Sequence, residues 1–313
     1  MALRALVTGG AGFIGSHLVE RLLAEGHQVI VVDNLSTGRR AYVPPDALFY
    51  PLDICSPQVA EVFQAHRPQV VFHLAAQASV VRSLEDPTED ARVNILGSLN
   101  LLRLCGRFGV ERFIYSSTGG ALYGEPQYLP VPETHPIIPL SPYGASKYAV
   151  EVYLPLFRAL TGFTYTVLRY SNVYGPRQDP YGEAGVVAIF TRRMLDDAEV
   201  VIYGDGTQER DFVYVGDVVE ANILALSQKT SAVYNIGTGR GTSVNALFER
   251  LARLIGYRRP PRYAPPRPGE VYRIWLDVGR AREGLGWTPR VDLEQGLALT
   301  VQAFRAQGVV PRS

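Results

Sequence analysis

The stretch "SPYGASKYA" (141–149) sets a tyrosine and a lysine four residues apart, Tyr143 and Lys147. In a helix, positions i and i+4 share a face, so the phenol and the amine point the same way. A free tyrosine titrates at about 10 and is a poor base at neutral pH. An ammonium within Coulombic reach stabilises the phenolate and draws that value down, which makes a general base. Lysine suits the task because its compact charge reaches both a phenol oxygen and a ribose hydroxyl. Its placement is selective: of the 31 Lys and Arg residues, only Lys147 and Lys229 are lysines. Upstream, "YSSTGG" (115–120) offers the hydroxyls of Ser116, Ser117 and Thr118. A hydroxyl there would share a short hydrogen bond with the oxygen that Tyr143 deprotonates.

A second constellation lies at the start of the chain. "LVTGGAGFIGSHLVERL" carries Gly9, Gly10, Gly12 and Gly15 between an apolar run and an amphipathic one. It reads as G-x-x-G-x-x-G and equally as G-x-G-x-x-G. Such glycines permit a tight turn and close backbone approach, so that a pyrophosphate can sit on a helix N-terminus opened by Phe13 and Ile14. A second apolar run ends in Asp33, followed by Asn34. An acid at that strand end accepts hydrogen bonds from a ribose diol and repels a 2′-phosphate, which selects NAD over NADP. Asp53 and Ile54 end the next run and are candidates for the adenine edge.

These residues need a scaffold that brings strand ends together. Short apolar runs alternate with helical stretches: 2–8, helix 13–26, 27–33, 48–53, a helix near 57–66, 69–75, a helix near 88–108, and 112–117. The rhythm predicts a doubly wound parallel sheet of the Rossmann type, an α/β fold, with strands covered on both faces. Ser141 and Pro142 predict a helix start, Pro155 predicts a kink within that helix, and 163–171 reads as another strand. Beyond about 172 the texture becomes richer in Gly and Pro. The expected division is an NAD-binding domain over 1–171, with 210–236 returning to it. A smaller α/β sugar-nucleotide-binding domain would be built from 172–209 and 237–313.

Composition narrows the partners. Net charge is +1 over 313 residues with no basic block, which argues against nucleic acid. No apolar run approaches the roughly 20 residues that span a bilayer, and "MALRALVTGG" has no signal-peptide pattern, so no membrane is expected. Cys55 and Cys105 match no metal or disulfide spacing, and the five histidines show no H-x-x-x-H. The expectation is a cytoplasmic protein without a metal.

Together, "TGGAGFIG", "VVDNLSTG", "LDI", "FHLAA", "VNILGSLNLL", "YSSTGGALYGE", "SPYGASK", "LRYSNVYGPRQ" and "ERDFVYVGDV" resemble the extended short-chain dehydrogenase/reductase family. They follow its order over most of the chain. Within that family the nucleotide-sugar 4-epimerase branch, which acts on UDP-glucose and UDP-galactose, is the nearest. The resemblance implies that Tyr143 is the base, that Lys147 is its partner and nicotinamide-ribose contact, and that Thr118 is the hydroxyl at the sugar 4-oxygen. It also implies NAD contacts from Gly9, Gly12, Phe13, Ile14, Gly15, Asp33, Asn34, Asp53, Ile54, Leu74, Ala75, Ala76, Asn94 and Ser116. Asn172, Arg210, Arg267 and Glu270 match contacts to the sugar nucleotide. Ile274 falls where the family tunes pocket width. The implied reaction is epimerisation at C4 of a UDP-hexose through a transient 4-keto sugar, in a homodimer joined through helices 88–108 and 143–160.

Two departures stand out: one extra residue between Thr118 and Tyr123, and Glu270 where an aspartate is common. A 4,6-dehydratase or decarboxylase on the same fold needs an acid beside the threonine, and Gly119, Gly120 and Ala121 supply none. UDP-N-acetylhexosamines and UDP-uronic acids stay open as alternative substrates. A non-catalytic NAD sensor is disfavoured by the presence of both Tyr143 and Lys147.

Overall fold

The apolar runs become the strands of one large sheet in the computed structural model, which describes residues 2–181, 185–267 and 271–306. In chain order the first six are β1 (Arg4–Thr8), β2 (Gln28–Val32), β3 (Leu48–Tyr50), β4 (Val70–His73), β5 (Arg112–Thr118) and β6 (Thr164–Tyr170). The segment Ala232–Ile236 adds a seventh beside β6, giving the spatial order Ala232–Ile236, β6, β5, β4, β1, β2, β3. Every pairing in this sheet is parallel. The chain runs outward from β1 to β3, then returns to place β4 on the other side of β1. A reversal of that kind opens a crevice at the C-terminal ends of the two central strands.

Side chains alternate across the sheet and feed two cores. Ala5, Val7, Val29, Val31, Val70 and Phe72 pack on one face with helix Phe13–Ala24 and helix Val215–Ala225. Leu6, Ile30, Val32, Val71 and Phe113 pack on the other with helices Val59–His66, Ser98–Phe108 and Pro142–Thr161. Burial on both faces explains why these strands read as unbroken apolar runs. Each fully buried Val, Leu or Ile contributes about 1.5–3 kcal/mol.

Helix Pro142–Thr161 begins as its sequence dictates: the Ser141 hydroxyl accepts from the Gly144 N–H at 3.2 Å, with Pro142 in the first turn. It ends at Gly162, whose φ of +83° favours glycine. The helix continues through Pro155. The helical run expected near 88–108 has more parts. Asp86 caps a short helix, Pro87–Ala91, which passes through a π-type turn, Arg92–Gly97, into helix Ser98–Phe108. The wider turn contains Asn94.

Beyond β6 the segments pair in smaller sheets. Asn172–Tyr174 runs parallel to Phe212–Tyr214, so that part of "RDFVYVGDV" stays outside the large sheet, whereas Ala232–Ile236 enters it. Glu209–Arg210 lies between Thr242–Ser243 and Arg273–Ile274, and Val201–Tyr203 pairs with Arg262–Ala264. Helices Val186–Leu195, Val244–Ile255 and Leu293–Ala306 form a third apolar core there. Among the described residues, no helix is long and apolar enough to cross a membrane.

Candidate active site

The glycine loop joins β1 to helix Phe13–Ala24, and its tightness is enforced by sterics. Gly9 has a φ of +73°, and a Cβ there would lie 2.7 Å from the Ala75 nitrogen. A Cβ at Gly15 would run into the Gly9 carbonyl oxygen. No side chain caps this helix at Gly12, so the first-turn N–H groups face the crevice, an arrangement suited to a pyrophosphate.

Asp33 follows β2 and is 7 % exposed. Its Oδ2 accepts from the Ala11 N–H at 3.0 Å and its Oδ1 from the Leu35 N–H at 2.8 Å. Both oxygens keep lone pairs for a diol. This loop and its acid fit NAD: backbone donors for the phosphates, a fixed carboxylate for the ribose.

The crevice is lined by Gly9, Gly12, Phe13, Ile14, Gly15, Asp33, Asn34, Asp53, Ile54, Leu74, Ala75, Ala76, Ser116, Tyr143 and Lys147, all expected from sequence. Sequence reasoning missed Ser36, Thr37, Leu52, Ala78, Val93 and Tyr170, which also line it. Ser36 and Thr37 sit in the "DNLSTG" stretch already singled out. The others carry no chemical signature and arrive through the fold.

Asn94 does not line the crevice. It is 2 % exposed, and its amide donates to Asp90 Oδ1 at 3.1 Å and Ser146 Oγ at 3.0 Å. Its Oδ1 accepts from the Gln77 N–H at 2.9 Å. Asn94 therefore braces helix Pro142–Thr161 from behind.

At the far end, β5 delivers Thr118 toward helix Pro142–Thr161, where the threonine hydroxyl acts on the Tyr143 phenol. Burial pushes that phenol up to about 12, and the Thr118 hydroxyl opposes the rise. Burial pulls the Lys147 ammonium down to about 7, against the attraction of Glu151 and Asp90. The sequence argument expected Lys147 to lower Tyr143. The structure differs because burial dominates both groups and disfavours the charge of each. Lys147 is 3 % exposed, with Nζ 4.4 Å from the centre of the Tyr115 ring.

The neighbouring hydroxyls are committed elsewhere. Ser116 Oγ lies 3.0 Å from the Tyr170 hydroxyl, and Ser117 Oγ donates to Glu151 Oε1 at 2.6 Å. Glu151 is in turn paired with Arg169 at 2.6 Å. Tyr123 is buried, accepting from Arg169 Nη1 and donating to Asn235 Oδ1, both at 2.8 Å. Its role is structural.

The expected sugar-nucleotide residues come from the smaller sheets. Asn172 begins the strand beside Phe212–Tyr214, and a Cβ at Gly120 would lie 3.7 Å from its Oδ1. Arg210 Nη1 donates to the carbonyls of Glu209 and Tyr272. The Arg267 guanidinium stacks on the Tyr203 ring at 4.0 Å. Glu270 lies outside the described residues. Ile274 is 2 % exposed and packs with Tyr123, Val131, Val271 and Leu276. Among the described residues, no three His, Cys, Asp or Glu side chains converge as a metal site.

Comparison with known proteins agrees with this geometry. Residues 5–237 match the NAD dependent epimerase/dehydratase family. The chain is similar to the UDP-glucose 4-epimerase of Thermotoga maritima solved with UDP-glucose: 56% identity, TM-score 0.96, covering 97% of this chain and 99% of that one. It is similar to the Thermus thermophilus UDP-glucose 4-epimerase solved with NAD: 48% identity, TM-score 0.93, covering 98% and 100%. The UDP-glucose 4-epimerase of Mycolicibacterium smegmatis is 45% identical over 97% of this chain and 99% of its own length.

Proposed function

This chain belongs to the NAD dependent epimerase/dehydratase family, and we propose on that footing the reaction its site performs, epimerisation at C4 of a UDP-hexose. NAD is the cofactor, and UDP-galactose and UDP-glucose are the substrate pair. The single observation that carries the reading is that Tyr143 and Lys147, one helical turn apart, both line a dinucleotide crevice, with the Thr118 hydroxyl acting on the Tyr143 phenol.

The chemistry NAD supplies when bound is reversible two-electron oxidation at sugar C4. Tyr143 takes the 4-hydroxyl proton and later returns it, while Thr118 holds the same oxygen in line. Lys147 balances the phenolate charge. Arg210 and Arg267 are assigned to the diphosphate, which forked guanidinium donors suit, and Asn172 and Glu270 to the rest of the nucleotide. Firm hold on the nucleotide with a loosely held sugar lets the oxidised sugar present its other face. Gly119 and Gly120 offer no proton for elimination, which favours epimerisation over dehydration.

The division into an NAD-binding part, 1–171 with 210–236, and a sugar-nucleotide part is part of the same proposal. So is a homodimer. Val152, Leu156 and Leu160 recur every fourth residue on helix Pro142–Thr161 and are 51 %, 55 % and 80 % exposed, with Leu96 nearby at 59 %. An apolar stripe of this kind calls for a second copy. Galactose metabolism in the cytoplasm is the setting proposed.

The test is to incubate the purified protein with UDP-galactose, adding no NAD, and to assay UDP-glucose. Product formation supports both the reaction and retained cofactor. No product, even with NAD supplied, overturns the UDP-hexose assignment.

A further inference from the structure

Ser117 lines the crevice, but its hydroxyl is turned to another task. The residue is buried, and Oγ donates to Glu151 Oε1 at 2.6 Å. Glu151 stands on helix Pro142–Thr161, one turn after Lys147 and two after Tyr143. Its carboxylate is gripped from a second strand as well. Arg169 of β6 donates through Nε to both carboxylate oxygens at 3.1 Å, and through Nη2 to Oε2 at 2.6 Å. Ser117 and Arg169 are direct partners in the β5–β6 pairing. Two neighbouring strands therefore close on one helical side chain at the same level of the sheet. Arg169 is fixed in turn, since Nη1 donates to the Tyr123 hydroxyl at 2.8 Å and to the Glu133 carbonyl at 3.2 Å.

A second bond ties the same strand to the same helix. Tyr115, two residues before Ser117, donates its hydroxyl to the Lys147 carbonyl at 3.3 Å. β5 thus holds the helix at Lys147 and at Glu151, one turn apart, which resists both sliding and rotation. Stability alone is a weak account of this cluster. A buried ion pair adds little over apolar side chains of equal volume, because desolvation offsets its attraction. What charge-assisted hydrogen bonds add is short, directional geometry. That geometry is spent at a strand end: the residue after Ser117 is Thr118, the last of β5, and Gly119 and Gly120 follow.

We propose that Ser117 is a positioning residue for the reaction: anchored on the Glu151–Arg169 pair, it fixes the end of β5, and with it Thr118, against the helix that carries Tyr143 and Lys147. This rests on the reading of Tyr143 as the base and Thr118 as the hydroxyl that shares its substrate oxygen. It adds the contact that keeps their two elements in register.

Ser117→Ala removes one hydroxyl and leaves the Glu151–Arg169 pair intact, so the fold is kept. With UDP-galactose it is expected to lower kcat by about 5- to 20-fold at unchanged KM. Ser117→Thr, which keeps the hydroxyl, should return kcat to within about twofold of the parent. In a Thr118→Val background, Ser117→Ala should cost less than about twofold, because its effect passes through Thr118. Equal losses in the two backgrounds overturn the proposal, as does a parent-like Ser117→Ala or a loss shared by the alanine and threonine variants. A Thr118→Val enzyme as fast as the parent overturns the reading of Thr118, and this proposal with it. Amide hydrogen exchange without substrate supplies a readout free of turnover. The Gly119 N–H donates to the Tyr170 carbonyl at the end of β5. Its exchange should be about 5- to 10-fold faster in Ser117→Ala, with helix Val244–Ile255 unchanged. Unchanged exchange at Gly119 overturns the positioning role, whichever sugar the enzyme turns over.

Discussion

The hydroxyl of Thr118, the last residue of β5, acts on the phenol of Tyr143, in the first turn of helix Pro142–Thr161. This pairing joins a strand end to a helix start, and it opposes the effect of burial on the phenol. Removing it has a signed consequence.

In Thr118→Val the Tyr143 phenol loses that partner and its pKa rises further above the ordinary tyrosine value. The acid limb of kcat/KM should move to higher pH, with a rate at neutral pH lower by about 10–100-fold. Thr118→Ser, which keeps the hydroxyl, should stay within a few-fold of the parent. Equal profiles for the valine and serine variants would remove Thr118 from the mechanism.

Lys147 should cost the fold stability. Its folded-state value of about 7 lies below its unfolded value of about 10.4. Between those values the unfolded chain binds more protons, so this group's contribution to stability rises with pH through that window. Lys147→Met is expected to be more stable than the parent at pH 7, by at least about 1 kcal/mol. The gain should shrink as pH approaches 10. Denaturant unfolding of both proteins at the two pH values measures the difference, and a pH-independent gap would contradict it.

Gly15→Ala should open the phosphate loop. The new methyl meets the Gly9 carbonyl, a backbone atom that cannot swing aside. A loss of about 1–3 kcal/mol in stability and a clear drop in NAD affinity by calorimetry are expected. Gly26→Ala provides the control: its φ is +81°, but nothing lies within 4 Å of the added carbon. That substitution should carry only the left-handed strain, roughly 1 kcal/mol, with NAD binding intact.

Leu156→Glu places a charge in the exposed apolar stripe of helix Pro142–Thr161. Light scattering should find a dimer for the parent and a monomer for the variant at micromolar concentration. A monomeric parent would dispose of the proposed dimer.

The chemistry was legible wherever it depended on local spacing. Gly9, Gly12 and Gly15 with Asp33 mark a strand–turn–helix–strand unit whose geometry depends on a few consecutive residues. Tyr143 and Lys147 share a face because any helix places i and i+4 together, and Ser141 and Pro142 declare where that helix begins. Repeating apolar runs likewise reported a sheet covered on both sides.

Contacts between distant segments were decided only by folding. Nothing in the sequence near Asn94 says that its amide will bridge Asp90 to Ser146 rather than line the crevice. Tyr123 differs from the many other tyrosines only in being buried between Arg169 and Asn235. The proton balance of Tyr143 and Lys147 belongs to this second class. Spacing brings the two groups onto one face, but their proton affinities are set by desolvation and by nearby carboxylates, and burial exists only once the layers have closed.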